Sequence, residues 1–390
     1  MRLAMCSDSF LPVVDGVGRV VYQYADALGK AGHEVYVICP QTDMGYRGGF
    51  PFEVVDYAGM PMPGSPQYRA GMPILDTHYG SRIGKAPLDL VHAHTPGPAG
   101  FEALRLANKR NVPLVGTFHS RYYDDFYRVL KNEEIASLGA RMVAEFYSRC
   151  DEVWTVSRSA ADALRSYGYD GQVIVVPNGT DPRPVRPADR DRAVAALGLG
   201  PEPVLLYVGQ LDWKKNLRCV VEAAGLLQSR GLSFQLVLAG QGRDQDAVRA
   251  LADERGISDR LTLPGHIADA ALLYGLYAAA ALFLFPSLYD TAGLVVMEAA
   301  AMQTPSVVVS GSAPGERIVD GENGFVCDDS PESLANAVER ALSEPTLLER
   351  VGRAAGGTLP LPWERVMRQV TQRYQALLQQ PRGQKRRLKR

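Results

Sequence analysis

Two acidic residues, Asp290 and Glu298, stand eight positions apart in the segment LYDTAGLVVMEAA, residues 288–300. Between them lie a short turn and the start of an apolar run that predicts a helix: Thr291, Ala292, Gly293, Leu294 and Val295. The free amides at a helix start attract an anion, and a carboxylate accepts hydrogen bonds from hydroxyl groups. The segment therefore predicts a site for a sugar–diphosphate–ribose ligand, with the diphosphate at amides 292–295, sugar hydroxyls at Asp290 and the ribose diol at Glu298.

The same two acids have a simpler interpretation. Asp290 could cap the N-terminus of the helix, and Glu298 could be an exposed helical residue in water. Glu298, however, stands between Met297 and three alanines, which is an unusually apolar setting for a solvated acid. That setting favours the ligand-binding interpretation.

A second candidate anion site is the glycine turn of DGVGRVVYQYADALGKAGH, residues 15–33, which follows an apolar strand and opens a predicted helix. Gly16 lies at the start of that helix, and Gly32 is expected to end it. Val21 fills the third glycine position of the dinucleotide-binding fingerprint, so the match to that motif is incomplete. From the residues alone, a tight strand–helix turn explains this stretch as well as an anion site does.

Basic and histidine side chains follow other predicted strands. Lys214 and Lys215 come after the strand in YVGQLDWKKN, where either ammonium could neutralise a phosphate, although lysines in loops are usually only solvated. His119 leaves the end of the strand in GTFHS, at the edge where ligands bind, or it caps its own loop. His92 and His94 in HAHTPG favour a structural role. No His, Asp or Glu cluster has the spacing of metal ligands, so neither a metal nor a cofactor is expected.

The elements that would position these residues are short apolar strands that alternate with longer helical patterns. Continuous apolar strands are typical of parallel sheets covered by helices on both faces. The set occurs twice, with strands expected at residues 2–6, 35–39, 90–93, 114–117, 152–156 and 173–176, and again at 204–208, 235–239, 261–263, 281–285, 306–309 and 324–326. The sequence therefore predicts an α/β protein of two Rossmann-like, doubly wound domains, with the ligand beyond the carboxyl ends of the strands, in the cleft between the domains.

A Pro- and Arg-rich stretch, NGTDPRPVRPADR, begins at Asn178 and predicts the domain boundary. We expect an N-terminal domain over residues 1–177 and a second domain over residues 178–360. A helix over residues 361–380 follows, with apolar residues at helical spacing that suit a docked amphipathic helix. The last ten residues, 381–390, hold six basic residues and no acid, which predicts either a solvated flexible tail or a contact to anionic lipid.

Composition narrows the class of protein. The 390 residues carry a net charge of −1, which gives no reason to expect nucleic acid as a partner. The five cysteines are far apart and form no C-x-x-C pair, so buried reduced thiols are expected. The first residues contain no long apolar segment, and the longest apolar run, residues 273–285, is too short to span a bilayer. We therefore expect a cytoplasmic protein, which could also bind peripherally to the inner face of the cell membrane.

The order of the motifs resembles the retaining glycosyltransferases of family 4, which have the GT-B fold. The matching motifs are G-V-G near the start, T-F-H-S, P-N-G-T-D, Y-V-G-Q-L-D-W-K-K-N, A-G-Q-G, F-P-S-x-x-D-x-x-G-L-V-V-x-E and P-G-E-R-I-V-D-G-E-N-G-F. The resemblance runs over residues 1–380, and stretches such as W-K-K-N and Y-D-T-A-G-L-V-V-x-E-A-A-A are similar to bacterial enzymes that glucosylate diacylglycerol. A GT-B protein is expected to have a donor-binding second domain, an acceptor-binding first domain and a C-terminal helix that returns to the first domain.

The resemblance also implies roles for individual residues. Glu298 would hold the donor ribose, and Asp290, in place of the first glutamate of the family's glutamate–seven residues–glutamate motif, would face the donor sugar. Lys215 matches a diphosphate-binding lysine, whereas Gln210 stands where the family usually has an arginine, so that one charge is missing and Lys214 could compensate. Gly16 matches a glycine that approaches the diphosphate, and His119 matches a histidine near the transferring sugar. Gly240, His266 and Ile267 match loops around the base and ribose.

The resemblance implies a metal-independent transfer of a hexose from a nucleotide sugar, with retention of configuration. The similarity to the diacylglycerol enzymes implies UDP-glucose as the donor. The implied catalytic residues are His119, Lys215 and Asp290. For the acceptor, the predicted helical segment 120–150 mixes aromatic and basic residues, which suits a membrane surface or ordinary helix packing. A soluble sugar or polysaccharide precursor is therefore an alternative to the lipid as the acceptor. A GT-B sugar-nucleotide epimerase and a non-catalytic binding protein are further alternatives.

Overall fold

The computed structural model describes residues 1–13, 15–40, 48–62 and 65–380, with only the backbone of residues 65–67. The basic tail predicted at residues 381–390 lies outside the described residues. The chain divides into two compact units. The first combines residues 1–178 with the C-terminal segment from Trp363, and the second is Gly179–Pro362.

The first unit alternates strands and helices. Its elements before the second unit are β1 Arg2–Cys6, α1 Gly16–Lys30, β2 Glu34–Pro40, β3 Glu53–Tyr57, β4 Gly59–Met62, β5 Ser65–Gly71, α2 Thr77–Lys85, β6 Leu90–Ala93, α3 Pro98–Arg110, β7 Leu114–Phe118, α4 Tyr122–Leu130, α5 Glu133–Tyr147, β8 Glu152–Thr155, α6 Arg158–Ser166 and β9 Val173–Val175. Strands β1, β6 and β7 are buried along almost their whole length, because helices cover both faces of their sheet.

The second unit repeats this alternation. Its elements are α7 Pro187–Leu197, β10 Val204–Val208, α8 Leu217–Ser229, β11 Gln235–Ala239, α9 Gln245–Glu254, β12 Leu261–Gly265, α10 Ala270–Ala279, β13 Leu282–Phe285, α11 Leu294–Ala301, β14 Ser306–Val309, β15 Phe325–Cys327, α12 Pro331–Ser343 and α13 Pro345–Thr358. A 3-10 turn, Trp213–Lys215, precedes α8. The core is one apolar cluster centred on β10, β11, β13 and β14.

Both main sheets are parallel and reverse their strand order at one point. The first sheet has the order β3-β2-β1-β6-β7-β8-β9, and the second has β12-β11-β10-β13-β14-β15. The reversals lie between β1 and β6 and between β10 and β13. In open sheets of this kind, ligands bind in the crevice beyond the carboxyl ends of the strands at such a point. The prediction of two Rossmann-like, doubly wound domains is confirmed.

The last helix, α14 Trp363–Gln379, belongs to the first unit. Val366, Val370 and Tyr374 are buried, in keeping with the amphipathic spacing. The Tyr374 ring stacks on Trp154 with centroids 5.5 Å apart, and Trp363 meets Tyr24 of α1 edge-on at 6.0 Å. The chain therefore returns to its first unit after completing the second, as the resemblance implied.

The strands at the predicted positions are observed, with ends that differ by at most two residues. Three further strands were not predicted: β3 at the edge of the first sheet, and the antiparallel pair β4 and β5. The predicted helical segment 120–150 is two helices, because Lys131 adopts a left-handed conformation with φ 53° and the side chain of Asn132 then caps a new helix.

Candidate active site

The crevice between β10 and β13 of the second unit collects most of the predicted donor-binding residues. The loop after β10 leads into the 3-10 turn that carries Lys214 and Lys215. The loop after β13 carries Asp290 and leads into α11. Because β10 and β13 are hydrogen-bonded neighbours, both loops leave the same edge of the sheet at adjacent positions.

Lys215 and Asp290 form an ion pair at the centre of this crevice. The Nζ of Lys215 donates to Oδ1 of Asp290 at 2.7 Å, and the two side chains are 13% and 22% exposed. The hydroxyl of Ser287 donates to the other carboxylate oxygen at 2.5 Å. The alternative in which Asp290 caps the helix is wrong, because Gly293 occupies the N-cap position.

A tyrosine ring holds both lysines at this point. The Nζ atoms of Lys214 and Lys215 lie 4.3 Å and 4.9 Å from the centroid of the Tyr289 ring. Asp212 accepts a hydrogen bond from the backbone N–H of Lys214 and so fixes the turn that presents the two cations. Two ammonium groups over one ring concentrate positive charge next to the start of α11.

The first turn of α11 offers amide groups to a ligand. The first backbone hydrogen bond of this helix is donated by Val296 to the carbonyl of Gly293 at 2.9 Å. The amides of residues 292–295 donate no hydrogen bond within the part of the chain that the structure describes. Gly293 has φ 62°, and a Cβ there would lie 2.8 Å from Cβ of Pro314, so the sharp turn into α11 requires glycine.

Glu298 lies on the first turns of α11 and is buried, with 4% of its surface exposed. The interpretation of Glu298 as a solvated helical residue is therefore wrong. The hydroxyl of Tyr277 on α10 donates to Oε2 of Glu298 at 3.2 Å. Sequence reasoning did not single out Tyr277, since nothing in its neighbourhood distinguishes it from an ordinary core tyrosine.

The remaining predicted donor residues lie on neighbouring loops. Gln210 is exposed directly after β10, and His266 is exposed directly after β12, with Ile267 partly buried beside it. Gly240 follows β11, where an added Cβ would lie only 1.8 Å from the carbonyl oxygen of Gly209. The need for glycine at position 240 thus follows from the packing of these two loops.

Gly16 and His119 lie in the first unit. Gly16 begins α1, with Asp15 as the N-cap residue, and a Cβ at Gly16 would meet no atom within 4 Å. His119 follows β7 and is buried, and burial lowers its pKa to about 3. Its Nε2 lies 3.1 Å from Nδ1 of His94, so another buried histidine contacts the ring of His119.

Acidic, histidine and cysteine side chains do not gather in a metal-like arrangement. Among residues 1–13, 15–40, 48–62 and 65–380, no three or more of them form a group that could hold a metal ion. Positive charge beside β10 and β13 comes from Lys214 and Lys215, and the amides at the start of α11 add hydrogen-bond donors. The site thus combines two cations and unbonded helix amides with two carboxylates, the buried Glu298 and the ion-paired Asp290. This combination suits a phosphate-linked sugar ligand.

Two doubly wound domains, with a last helix that returns to the first domain, form the architecture of the GT-B fold. Residues 14–183 match the family model "Glycosyltransferase Family 4", and residues 189–357 match "Glycosyl transferases group 1". The two matches together span most of the chain. The protein therefore belongs to the family 4 glycosyltransferases, as the motif order indicated.

Curated relatives and solved structures extend over nearly the whole chain. An alpha-monoglucosyldiacylglycerol synthase of Acholeplasma laidlawii is 25% identical and covers 87% of each chain. A glycogen synthase of Mycobacterium tuberculosis is 29% identical over 96% of this chain and 95% of the relative. The sucrose-phosphate synthase of Thermosynechococcus elongatus shares the fold, with a TM-score of 0.82, 24% identity, and coverage of 96% and 98%. The names of the two relatives thus refer to different products, a glucosylated diacylglycerol and glycogen.

Proposed function

We propose that this protein transfers glucose from UDP-glucose to a diacylglycerol-type lipid at a membrane surface, with retention of configuration and without a metal ion. The observation that carries the transferase part is the set of residues that follow β10 and β13: the Lys215–Asp290 ion pair, the amides at the start of α11, and the buried Glu298 on that helix. Support for the lipid acceptor comes from the diacylglycerol synthase relative and from exposed apolar side chains on the first unit.

The proposed reaction depends on stabilising the leaving group. As the glycosidic bond breaks, negative charge develops on the diphosphate and positive charge on the sugar ring. Lys215 and the amides of residues 292–295 oppose the first charge, which favours the transition state over the bound substrate. Asp290 accepts hydroxyl hydrogen bonds from the sugar, and the acceptor attacks on the face of the leaving group, whose phosphate oxygen takes the proton.

A soluble sugar or polysaccharide precursor is the second candidate acceptor, and the glycogen synthase relative favours it. A panel of sugar nucleotides tested against diacylglycerol vesicles and against soluble sugars, with product masses measured, separates the two acceptor classes. We expect a glucosylated lipid from UDP-glucose. A product only with soluble sugars would contradict the lipid acceptor. Conversion of UDP-glucose to an isomeric UDP-hexose without any acceptor, which chromatography detects because the mass does not change, would indicate an epimerase.

Exposed apolar residues on α4 and α5 form the surface that we propose contacts the lipid. Val129 is 72% exposed and Met142 is 61% exposed, and Ile135, Leu138 and Met142 recur on one face of α5. Segment 120–150 holds five bases and five acids, so its attraction to a bilayer would be apolar rather than ionic. Within the described residues, no helix is both long and apolar enough to traverse a membrane.

The double substitution Leu138→Ser/Met142→Ser is expected to weaken vesicle binding about tenfold or more, because each inserted apolar side chain contributes about 1.5–3 kcal/mol when fully buried. Flotation with neutral vesicles at low and high salt measures this. Val319→Ser is the matched control, since Val319 is also half exposed but lies in the second unit. Equal losses for both variants, or binding that salt abolishes, would contradict an apolar contact through α5.

A further inference from the structure

Three histidine rings form a buried column in the first unit. His92 and His94 come from the end of β6, and His119 follows β7. The ring centroids of His92 and His94 are 4.0 Å apart, and those of His94 and His119 are 5.4 Å apart, with near-parallel planes in both pairs. Because β6 and β7 are paired strands, their ends bring residues 25 positions apart into one stack.

The lower part of this column is locked in place. Nδ1 of His92 lies 2.5 Å from the hydroxyl of Tyr374 on α14, and its Nε2 lies 2.7 Å from the hydroxyl of Thr117. His94 stacks on that fixed ring, and Tyr24 meets His94 edge-on with centroids 5.5 Å apart. The ring plane of His94 is therefore set by packing, with His94 itself fully buried.

Only one hydrogen bond connects His94 to His119, from ring nitrogen to ring nitrogen over 3.1 Å. Burial lowers the pKa of both rings, so each is neutral and carries a single proton. One of the two facing nitrogens must therefore be protonated and the other bare. The direction of the bond decides where the proton of His119 lies.

The opposite nitrogen of His94 selects the direction. Nε2 of His94 is buried and has no hydrogen-bond partner among the described residues. If His119 donated, His94 would carry its proton on Nε2 and bury an N–H group without an acceptor, which folded proteins avoid most strongly. If His94 donates from Nδ1, its Nε2 carries no proton, and only a lone pair is left without a partner.

We propose that His94 is a positioning residue for His119: the Nδ1–H group of His94 donates to Nε2 of His119 and fixes His119 in the Nδ1–H tautomer. Within the proposed function, on which this consequence rests, His119 then acts on the sugar as a hydrogen-bond donor and not as a base. Tyr374 on the C-terminal helix contacts His92, His94 stacks on His92, and His94 contacts His119. The C-terminal helix thereby contributes to the orientation of His119.

The tautomer can be measured without turnover. The chain has six histidines, and two-bond proton–nitrogen correlation spectra of the full-length protein with labelled histidine distinguish the two neutral tautomers of each ring. Single substitutions of His94 and His119 assign their signals. We expect the Nδ1–H pattern for both residues, and an Nε2–H pattern for His119 would overturn the proposal whatever the enzyme transfers.

Two near-isosteric variants separate positioning from packing. His94→Asn places an amide at the Nδ1 position and keeps the bond to His119, whereas His94→Gln places its amide at the Nε2 position and loses that bond. We expect His94→Asn to keep kcat within about threefold and His94→Gln to lower it about tenfold or more, with unchanged affinity for UDP. His119 should keep its tautomer in the first variant only.

Equal kcat values for the two variants, with equal melting temperatures, would also overturn the proposal. Should no acceptor be glucosylated by the native protein, the proposed function fails while the spectra still decide the tautomer. If glucosyl transfer is found and the spectra show His119 protonated on Nε2, the failure belongs to the positioning role alone.

Discussion

Replacing Lys215 by alanine is expected to lower kcat about 100-fold or more while weakening the binding of UDP-glucose much less. The ammonium of Lys215 faces charge that develops on the leaving diphosphate, so its loss raises the transition state more than the ground state. In the native protein Asp290 is 22% exposed and pairs with Lys215 at 2.7 Å. The substitution therefore also leaves this carboxylate without its cation, next to the diphosphate. Steady-state rates and calorimetric donor affinity measure the two effects separately.

Lys214→Ala is the matched control for Lys215→Ala. Lys214 contacts the same Tyr289 ring but forms no ion pair with Asp290 among the interactions described, so a smaller loss of about tenfold is expected. The double variant Lys215→Ala/Asp290→Asn tests the coupling, because removing the unpaired carboxylate should recover part of the lost rate. If Lys215→Ala reduced kcat and donor affinity to the same extent, Lys215 would serve as a phosphate anchor only.

Replacing Glu298 by glutamine is expected to weaken UDP-glucose binding about 100-fold, because two hydrogen bonds from a diol to a buried carboxylate are worth about 1.5–3 kcal/mol each. Glu298 is 4% exposed, so no bulk water replaces these bonds. Calorimetry measures the change, with Glu322→Gln, an exposed acid of the same unit, as the control.

A ligand without the diol gives the sharper test of Glu298. The dideoxy form of UDP should bind the native protein and the Glu298→Gln variant with nearly equal affinity if the carboxylate holds the ribose. Tyr277→Phe, which removes the 3.2 Å hydrogen bond to Oε2, should weaken UDP binding about tenfold, because one of the contacts that orient the carboxylate is lost. A large difference between the two proteins for the dideoxy ligand would contradict the ribose role.

The strands of both sheets were predictable because each is a short run of apolar residues, and burial on two faces leaves that signal in the local sequence. Strand β3 was missed because its apolar pair, Val54 and Val55, lies between two acids and is too short a run to predict a strand. Strands β4 and β5 were missed because they lack the pattern of a buried strand. The strand Gly59–Met62 is largely exposed and contains a proline, and Ser65–Gly71 pairs with it in a hairpin of irregular register. Such residues carry neither a continuous apolar run nor a clean alternation.

The candidate site was predictable in part. Asp290 and Glu298 stood out because two acids flank a glycine turn, and Lys215 because it follows a strand. The pairing of Lys215 with Asp290 joins residues 75 positions apart, and no local pattern predicts it. His94 was interpreted as structural, and its contact with His119 arises only because β6 and β7 lie side by side.

The sequence by itself determined the two doubly wound domains, the loops that follow their strands, and the chemical types of the side chains on those loops. It could do so because strand burial and glycine turns depend on neighbouring residues. Tertiary structure alone decided that Glu298 is buried against Tyr277, that Asp290 holds Lys215, and that two histidines, His92 and His94, stack behind His119. These contacts join loops and helices distant in the chain, so they follow from the order of strands in each sheet rather than from any stretch of residues.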